Sequence, residues 1–378
     1  MSGLMKALRR RSMVVKESKA APKKRATRRA SLAVTPPVGG MVKSHRVYLL
    51  GGAHLVIQVS AKTKVYEACV TIRKKLGLQN DGDMALFELV TATGVFTLLD
   101  DDALLGARIE GWGPDPPGGG AFRDDIQLVY RRRLYLPGSA MELEEAAATA
   151  ESHAALKIAY DETRYHLLEG LYPVAAEAMV PLVAAQLQAT HGDYDDSMWA
   201  KGVLRGQFGD FFAKEALKKA SRSLQDKLEA AVLSQYAAQA GTSKVEAMAA
   251  VVATVKELLP SYGGFFFPAQ CNRPLTDKLR RIHVAVGWAG ITLFITRRGK
   301  LSVESIKYAD IAQWSVLKDG SMFAFWINDG DNNDTVALMT DAAAEIDKLV
   351  QAYVAENIAV LDGADRTAAR ARGTPKPA

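Results

Sequence analysis

The chain of 378 residues is 48% hydrophobic and 24% charged, an ordinary globular composition with room for two or three compact units. It has no run of about 18 apolar residues and only two cysteines, so we expect no transmembrane segment, disulfide framework or four-cysteine zinc site. The net charge of +6 is unevenly divided along the chain. Residues 1–46 hold 13 Lys/Arg and one acidic residue, and residues 364–378 hold four Lys/Arg and one acidic residue. Residues 47–363 hold 31 Lys/Arg and 40 acidic residues. Because the central part is acidic, we do not expect the folded body to bind nucleic acid.

Residues 1–44 mix basic clusters with Ala, Ser, Pro and Gly and contain no aromatic residue. Such a segment buries too little apolar area to offset its ordering entropy, so we predict a disordered basic tail. We predict a second disordered tail over residues 361–378. Two alternatives for the N-terminal tail stay open: an organelle transit peptide, which its Arg-, Ser- and Ala-rich composition also fits, and a nucleic-acid-binding arm.

The N-terminal tail also contains two candidate phosphorylation sites. The segments Arg9-Arg10-Arg11-Ser12-Met13 and Arg28-Arg29-Ala30-Ser31-Leu32 match the arginine-directed pattern of basophilic kinases. A phosphate on Ser12 or Ser31 would weaken the attraction of this tail to an anionic membrane.

Residues 45–137 carry a pattern typical of short strands around one helix. Two apolar runs separated by Gly51 and Gly52 predict a hairpin over 47–59. Apolar residues at helical spacing follow over 65–76, with Cys69 on the apolar face. Further strands are predicted at 84–90, 95–99 and 126–130. This order favours a ubiquitin-like β-grasp unit.

Residues 138–261 change to a helical period and give no strand signal. A helix over 156–169 is expected to end at Gly170, and one over 243–259 opens with a capping box formed by Ser243 and Glu246. Further helices are predicted at about 175–190, 197–204 and 210–237. Pro181 lies inside the first of these, so we expect a kink there.

Strand signals return over residues 262–360. Strands are predicted at 265–270, 280–286, 291–295, 311–317, 322–327 and 335–340. A final helix follows, with Asp341 as its N-cap and an apolar stripe from Ile346 to Ile358. This order is typical of a pleckstrin-homology or phosphotyrosine-binding type barrel with a C-terminal helix. The whole chain is therefore α+β, with three folded units.

Several segments resemble the FERM family, which includes ezrin-type proteins, talin and certain myosin and kinesin tails. They are YRRRLYLP at 130–137, LLEGLYP at 167–173, AAQLQATHGDY at 184–194 and VKELLPSYG at 255–263. Tyr308-Ala309-Asp310-Ile311 and Leu338-Met339-Thr340 resemble the third lobe of talin and myosin tails. The resemblance covers about residues 46–360. It implies a cytoplasmic, peripheral-membrane adaptor that joins cytoplasmic protein tails and acidic phospholipids to cytoskeletal or motor proteins.

The sequence offers no pattern for catalysis or metal binding. No phosphate-binding GxxxxGK[ST] loop occurs, and none of the six histidines has metal-ligand spacing. Residues 329–334 begin like a calcium loop, but Asp334 stands where the turn glycine is needed. We therefore expect a protein that is not an enzyme and uses no cofactor.

Two candidate binding sites lie in the third unit. A basic cluster at two loop ends is expected to hold a phosphoinositide headgroup, as the resemblance implies. Its members are Lys278, Arg280, Arg281, Arg297, Arg298 and Lys300. The groove between the 311–317 strand and the last helix is expected to accept an extended peptide by β-addition. Its candidate contact residues are Gln313, Trp314 and Ser315.

Overall fold

A computed structural model describes residues 42–80, 83–113, 125–199, 202–271, 279–297, 300–317, 319–329 and 332–372. These ranges form three units, which we call the N-lobe (43–132), the helical lobe (140–258) and the C-lobe (265–372). The elements named below are those of the described ranges.

The N-lobe is a five-stranded sheet with two helices. The strands are β1 (Lys43–Tyr48), β2 (His54–Val59), β3 (Met84–Val90), β4 (Val95–Leu98) and β5 (Ile126–Arg132), and the helices are α1 (Val65–Leu76) and α2 (Leu105–Glu110). The strand order is β2-β1-β5-β3-β4, with β1 and β5 parallel and the other pairs antiparallel. This topology confirms the β-grasp prediction. Residues 43 and 44, which the sequence assigns to the disordered tail, pair with Val59 and Gln58 of β2. They therefore belong to β1.

The helical lobe contains seven helices in the described ranges. They are α3 (Ala140–Ala146), α4 (Ala154–Glu169), α5 (Met179–His191), α6 (Val203–Gly206), α7 (Lys214–Lys219), α8 (Arg222–Ala237) and α9 (Lys244–Leu258). Helix α4 ends where Gly170 takes a left-handed conformation, and α9 opens with the Ser243–Glu246 capping box. Both termini were predicted from the sequence and are confirmed.

The expected kink at Pro181 is wrong. Helix α5 begins at Met179, so Pro181 stands in its first turn. An N–H in the first turn of a helix has no intrahelical acceptor, and a proline there therefore removes no hydrogen bond. Pro181 marks the start of the helix and does not interrupt it.

The C-lobe is a seven-stranded sheet closed by the last helix. Its strands are β6 (Phe265–Cys271), β7 (Arg280–Gly287), β8 (Gly290–Arg297), β9 (Lys300–Ile306), β10 (Ile311–Val316), β11 (Met322–Asp329) and β12 (Asn332–Met339), and its helix is α10 (Ala343–Arg372). The strand order is β10-β11-β12-β6-β7-β8-β9. Only two residue pairs, Leu338↔Cys271 and Met339↔Gln270, join β12 to β6. The order agrees with the predicted barrel and C-terminal helix.

Two features of the C-lobe correct the sequence predictions. Strand β9 was not predicted, and α10 continues to Arg372 although we expected disorder from residue 361. The added helical turns are rich in Ala and Arg, which are strong helix formers, and they extend a helix that is already nucleated. The helix also begins at Ala343, two residues after the proposed cap Asp341, and Ile358 of the predicted stripe is exposed.

The three apolar cores cross the lobe boundaries. The N-lobe core includes Met141, Ala155 and Ile158 of the helical lobe. The C-lobe core includes Ala85 and Phe87 of β3. The lobes therefore pack as one body in which the space between them has fixed walls.

Candidate functional site

A concave cleft of about 550 Å³ lies between the N-lobe and the C-lobe. Phe87 and Phe265 form its floor, with ring centroids 5.8 Å apart, and Phe96 meets Phe87 edge-on. Leu98 of β4 lies in the wall and is 38% exposed. On the opposite side α10 presents Leu349 and its neighbours one turn apart. The interior of the cleft is therefore largely apolar, as in most ligand sites.

Charged side chains surround this apolar interior. One is Asp83, whose carboxylate accepts the N–H of Met141 at 2.8 Å. The other four are Arg133 from the segment after β5 and Glu345, Lys348 and Glu356 from α10. Within the described ranges, no hydrogen bond or ion pair reaches any of these four side chains. Both signs of charge are available to a ligand that enters the cleft.

A buried group of charged and aromatic residues fixes the walls of the cleft. The guanidinium of Arg131 donates to Glu162 Oε1 at 3.0 Å, and both side chains are less than 5% exposed. Tyr135 donates its hydroxyl to the other oxygen of Glu162 at 2.6 Å. Arg131 also lies 4.0 Å from the ring centroid of Phe265. We call Arg131, Tyr135, Glu162, Phe265 and Tyr353 the hub.

The hub connects all three lobes. Arg131 belongs to β5, Glu162 to α4, Phe265 to β6 and Tyr353 to α10, and Tyr135 lies in the connecting segment. The Tyr353 hydroxyl accepts the N–H of Tyr135 at 3.2 Å. Burial raises the pKa of Tyr353 to about 12 and that of Tyr135 well above its ordinary value, so both hydroxyls stay protonated.

A second ionic group lies beside the hub. Arg132 pairs with Glu145, and its guanidinium lies 4.4 Å from the ring centroid of Tyr135. Lys256 of α9 binds Glu142 at 2.9 Å and Glu145 at 3.4 Å. The basic run at 130–133 that resembles the FERM family thus serves chiefly to join the lobes, and of its three arginines Arg133 reaches the cleft.

His166 is buried between the helical lobe and the C-lobe. Its ring lies 4.8 Å from that of Tyr172 and 5.2 Å from that of Phe266. Burial lowers its pKa from 6.5 to about 4, so the imidazole is neutral at physiological pH. It acts as a packed aromatic group at the boundary of the two lobes.

The basic cluster predicted from the sequence is divided between two faces of the C-lobe sheet. Lys300 pairs with Arg297, and Arg280 pairs with Cys271. The β7–β8 pairing ends at His283↔Phe294, so Arg280 and Arg297 each stand three residues beyond the last paired residue of their strand, at the same end of the sheet. Of the cluster, only Arg297 and Lys300 are therefore directly paired, and Arg281, one residue along from Arg280, faces the opposite side of β7. Lys278 and Arg298 lie outside the described residues.

The predicted peptide groove involves β10, an edge strand of the C-lobe sheet. Trp314 is half-buried and donates its indole N–H to Asp347 of α10 at 2.9 Å. Gln313 and Ser315 are exposed and point to the opposite face, because neighbouring strand residues alternate. Trp314 therefore closes part of the groove by tying β10 to α10. Ser12 and Ser31 lie outside the described residues.

The described residues include no group of three or more His, Cys, Asp or Glu side chains arranged to hold a metal ion. Cys69 is half-buried, and burial raises the pKa of its thiol to about 12. Among the same residues, no helix has the length and apolar character needed to cross a bilayer.

Comparison with known proteins agrees with this architecture. Residues 147–267 match the family model of the FERM central domain. FERM domain-containing protein 8 of Xenopus laevis is 25% identical over 236 residues, covering 57% of this chain and 51% of that protein, and its Xenopus tropicalis counterpart is 24% identical over 235 residues. The chain spans about half the length of these curated relatives.

Solved FERM structures superpose on most of the chain. The C-terminal MyTH4-FERM domain of human Myosin 7b, solved with the harmonin-a PDZ3 domain, is 17% identical with a TM-score of 0.60 and covers 83% of this chain and 60% of that chain. The Drosophila Merlin FERM and C-terminal domain complex is 13% identical with a TM-score of 0.58 and covers 82% of this chain and 95% of that chain. The chain has the FERM fold. The cleft is thus the space between the first and third lobes of a FERM fold.

Proposed function

We propose that this chain is a non-enzymatic adaptor whose FERM fold binds cytoplasmic segments of other proteins at the membrane–cytoskeleton boundary. The observation that supports this most is the cleft of about 550 Å³, with its apolar interior and four charged side chains that have no partner among the described residues. The comparisons support the general class of function, because FERM folds are typical of adaptors that link membrane proteins to the cytoskeleton.

The chemistry of the cleft indicates what would occupy it. Phe87, Phe96 and Phe265 would accept one or more large apolar side chains, which supply most of the affinity of a buried peptide. Arg133 and Lys348 would pair with acidic residues of the same segment, and Glu345 and Glu356 with basic ones. We propose a peptide that carries an apolar anchor flanked by both signs of charge.

The test is to select cytoplasmic peptide segments on the full chain from a displayed library and then to measure their affinity by fluorescence anisotropy. Replacing Leu98 by Asp puts a charge in the apolar wall and should weaken binding by about tenfold or more. Leu143→Asp is the matched control, because Leu143 is exposed on α3, outside the cleft. Equal affinity for both variants would reject the cleft as the site.

The edge of β10 is a second candidate for peptide binding. An extended peptide would add to its free edge, with contacts at Gln313 and Ser315, and the Trp314–Asp347 hydrogen bond would set the width of the groove. A selected peptide that loses affinity with Ser315→Pro, but not with Leu98→Asp, would locate the function here.

Acidic phospholipid is the second class of partner that we propose. Arg297 and Lys300 are paired across the β8–β9 hairpin, and Arg280 begins β7 at the same end of the sheet. Several cations that converge on phosphate bind it far more strongly than one. Charge reversal at Arg280, Arg281, Arg297 and Arg298 together should abolish salt-sensitive binding of residues 42–372 to phosphoinositide vesicles. A wild-type fragment that does not prefer phosphoinositide to phosphatidylcholine vesicles would contradict the proposal.

The basic N-terminal segment would then add electrostatic attachment to an anionic membrane, at on the order of 1 kcal/mol for each base close to the surface. A fluorescent fusion with and without residues 1–44 distinguishes this role from the two alternatives. Loss of membrane-edge signal on truncation supports attachment, whereas loss of nuclear or organellar signal supports a nucleic-acid arm or a transit peptide.

A further inference from the structure

Four strands form the edges of the two sheets, and three of them are protected against pairing with another strand. Strand β4 has only four residues. Strand β10 has an irregular register between Ile311 and Gln313. In β2 the carbonyl of Val56 accepts a hydrogen bond from Lys75 Nζ at 2.5 Å. Short strands, bulges and covering side chains are the usual means of blocking an edge.

Strand β9 is neither short, bulged nor covered by a side chain within the described residues. All seven of its residues pair with β8 in one regular register, from Lys300↔Arg297 to Ile306↔Ile291. Arg297 and Lys300 close a two-residue hairpin, and such a closing pair exchanges both of its backbone hydrogen bonds. Backbone groups along a strand point alternately toward and away from the partner strand. The N–H and C=O groups of Leu301, Val303 and Ser305 therefore point away from β8. No hydrogen bond from the described part of the chain reaches these groups in Leu301 or Val303.

The side chains along this edge are apolar as well as exposed. Leu301 is 46% exposed and Val303 is 51% exposed, whereas Ile306, on the other face of the strand, is buried. An unprotected backbone edge next to two exposed apolar side chains is a site for β-addition.

We propose that β9 pairs with β9 of a second copy of this chain, antiparallel, about a two-fold axis at Ser302. In this register Leu301 stands opposite Val303 of the other copy, and Lys300 stands opposite Glu304, each twice. Two other antiparallel registers also pair the outward-facing backbone groups of the two strands. The register centred on Glu304 places the two Glu304 carboxylates opposite each other. The register centred on Val303 places Lys300 opposite Ile306, so it has no opposite-charge pair at Lys300. The sequence KLSVESI is therefore self-complementary in apolar contacts and in charge.

The geometry also keeps the basic ends of the two copies apart. Arg280, Arg297 and Lys300 lie at the β8–β9 hairpin, and antiparallel pairing points the two hairpins in opposite directions. One strand pair is small beside the roughly 1,200–2,000 Å² of a stable interface, so the dimer is a weak one that forms where the protein is concentrated.

The test is sedimentation equilibrium of the full chain over about 1 to 300 µM, a range that covers weak association. Lys300→Glu alone and Glu304→Lys alone each oppose like charges and should lower the association constant by about tenfold or more. An equimolar mixture of the two variants restores both opposite-charge pairs and should associate as wild type does. Glu257→Lys makes the same charge change at an exposed position of α9 and should change nothing.

Recovery in the mixture would also show that both variants are folded. Val303→Asp, at the exposed apolar position, should weaken association in the same way. The proposal is overturned if wild type stays monomeric over the whole range. It is equally overturned if the mixture associates no more than its components, or if the single variants associate like wild type.

Discussion

The hub provides the most demanding test of the idea that the three lobes form one body. Glu162→Gln removes one charge and leaves Arg131 buried beside Phe265 without a counterion. Breaking a buried ion pair in this way costs about 3–5 kcal/mol. For a body of roughly 300 residues, whose unfolding entropy is about 2 cal/mol/K per residue, this corresponds to a decrease in Tm of about 6 °C.

Scanning calorimetry and urea unfolding of residues 42–372 measure this cost. The double variant Arg131→Met/Glu162→Gln should recover part of the loss, because it leaves no buried charge. Asp102→Asn is the control, since its partner Lys64 is half exposed and the pair lies at the surface. A Glu162→Gln variant as stable as Asp102→Asn, or a melt that splits into separate transitions for the lobes in wild type, would refute the reasoning.

Three further predictions concern the lobe boundary, the turn before β6 and the N-terminal segment. The pKa of His166 is about 4 in the folded protein and 6.5 in the unfolded chain, so the unfolded state binds more protons as the pH falls below 6.5. The free energy of unfolding should therefore decrease by about 3 kcal/mol between pH 6.5 and 4. His166→Phe should remove that part of the pH dependence in urea titrations; an unchanged slope would contradict the burial. Gly263→Ala should destabilise by several kcal/mol in the same assay, because Gly263 has φ of +73° and its Cβ would lie 2.3 Å from the ring of Tyr135. A Tm equal to that of wild type would show that this turn tolerates a side chain. Ser12→Glu/Ser31→Glu should weaken co-sedimentation of the full chain with anionic vesicles by severalfold, and equal binding by this variant, wild type and residues 42–378 would show that the segment contributes nothing.

Two helix ends of the helical lobe were predictable because their signals are local, whereas the helix predicted over 197–204 is observed at Val203–Gly206 and the one predicted over 210–237 is divided into α7 and α8. Gly170 and the Ser243–Glu246 capping box each determine a helix end within four residues of sequence. Strand β9 was missed because its sequence KLSVESI alternates weakly and has only one buried side chain, Ile306. Its strand conformation depends on pairing with β8, which a local pattern does not contain. The short helices α2 and α3 were missed as well, because each is only about two turns long.

The cleft could not be predicted because its walls come from distant parts of the chain. Leu98 and Leu349 line the same space although about 250 residues separate them. The arginines at 131 and 132 were visible as a basic run, but whether such side chains face solvent or a buried carboxylate depends on the packing of α3 and α4. The hairpin register places Arg297 opposite Lys300, and the basic cluster as a binding site stays a prediction.

Hydrogen–deuterium exchange of the full chain with and without a selected peptide tests most directly whether this FERM fold binds protein segments in the cleft. We predict protection in β4, in residues 133–136 and in the first turns of α10, with β10 unchanged, because the cleft walls come from those three segments. Protection confined to β10, or to the helical lobe alone, would contradict the assignment of the cleft as the binding site.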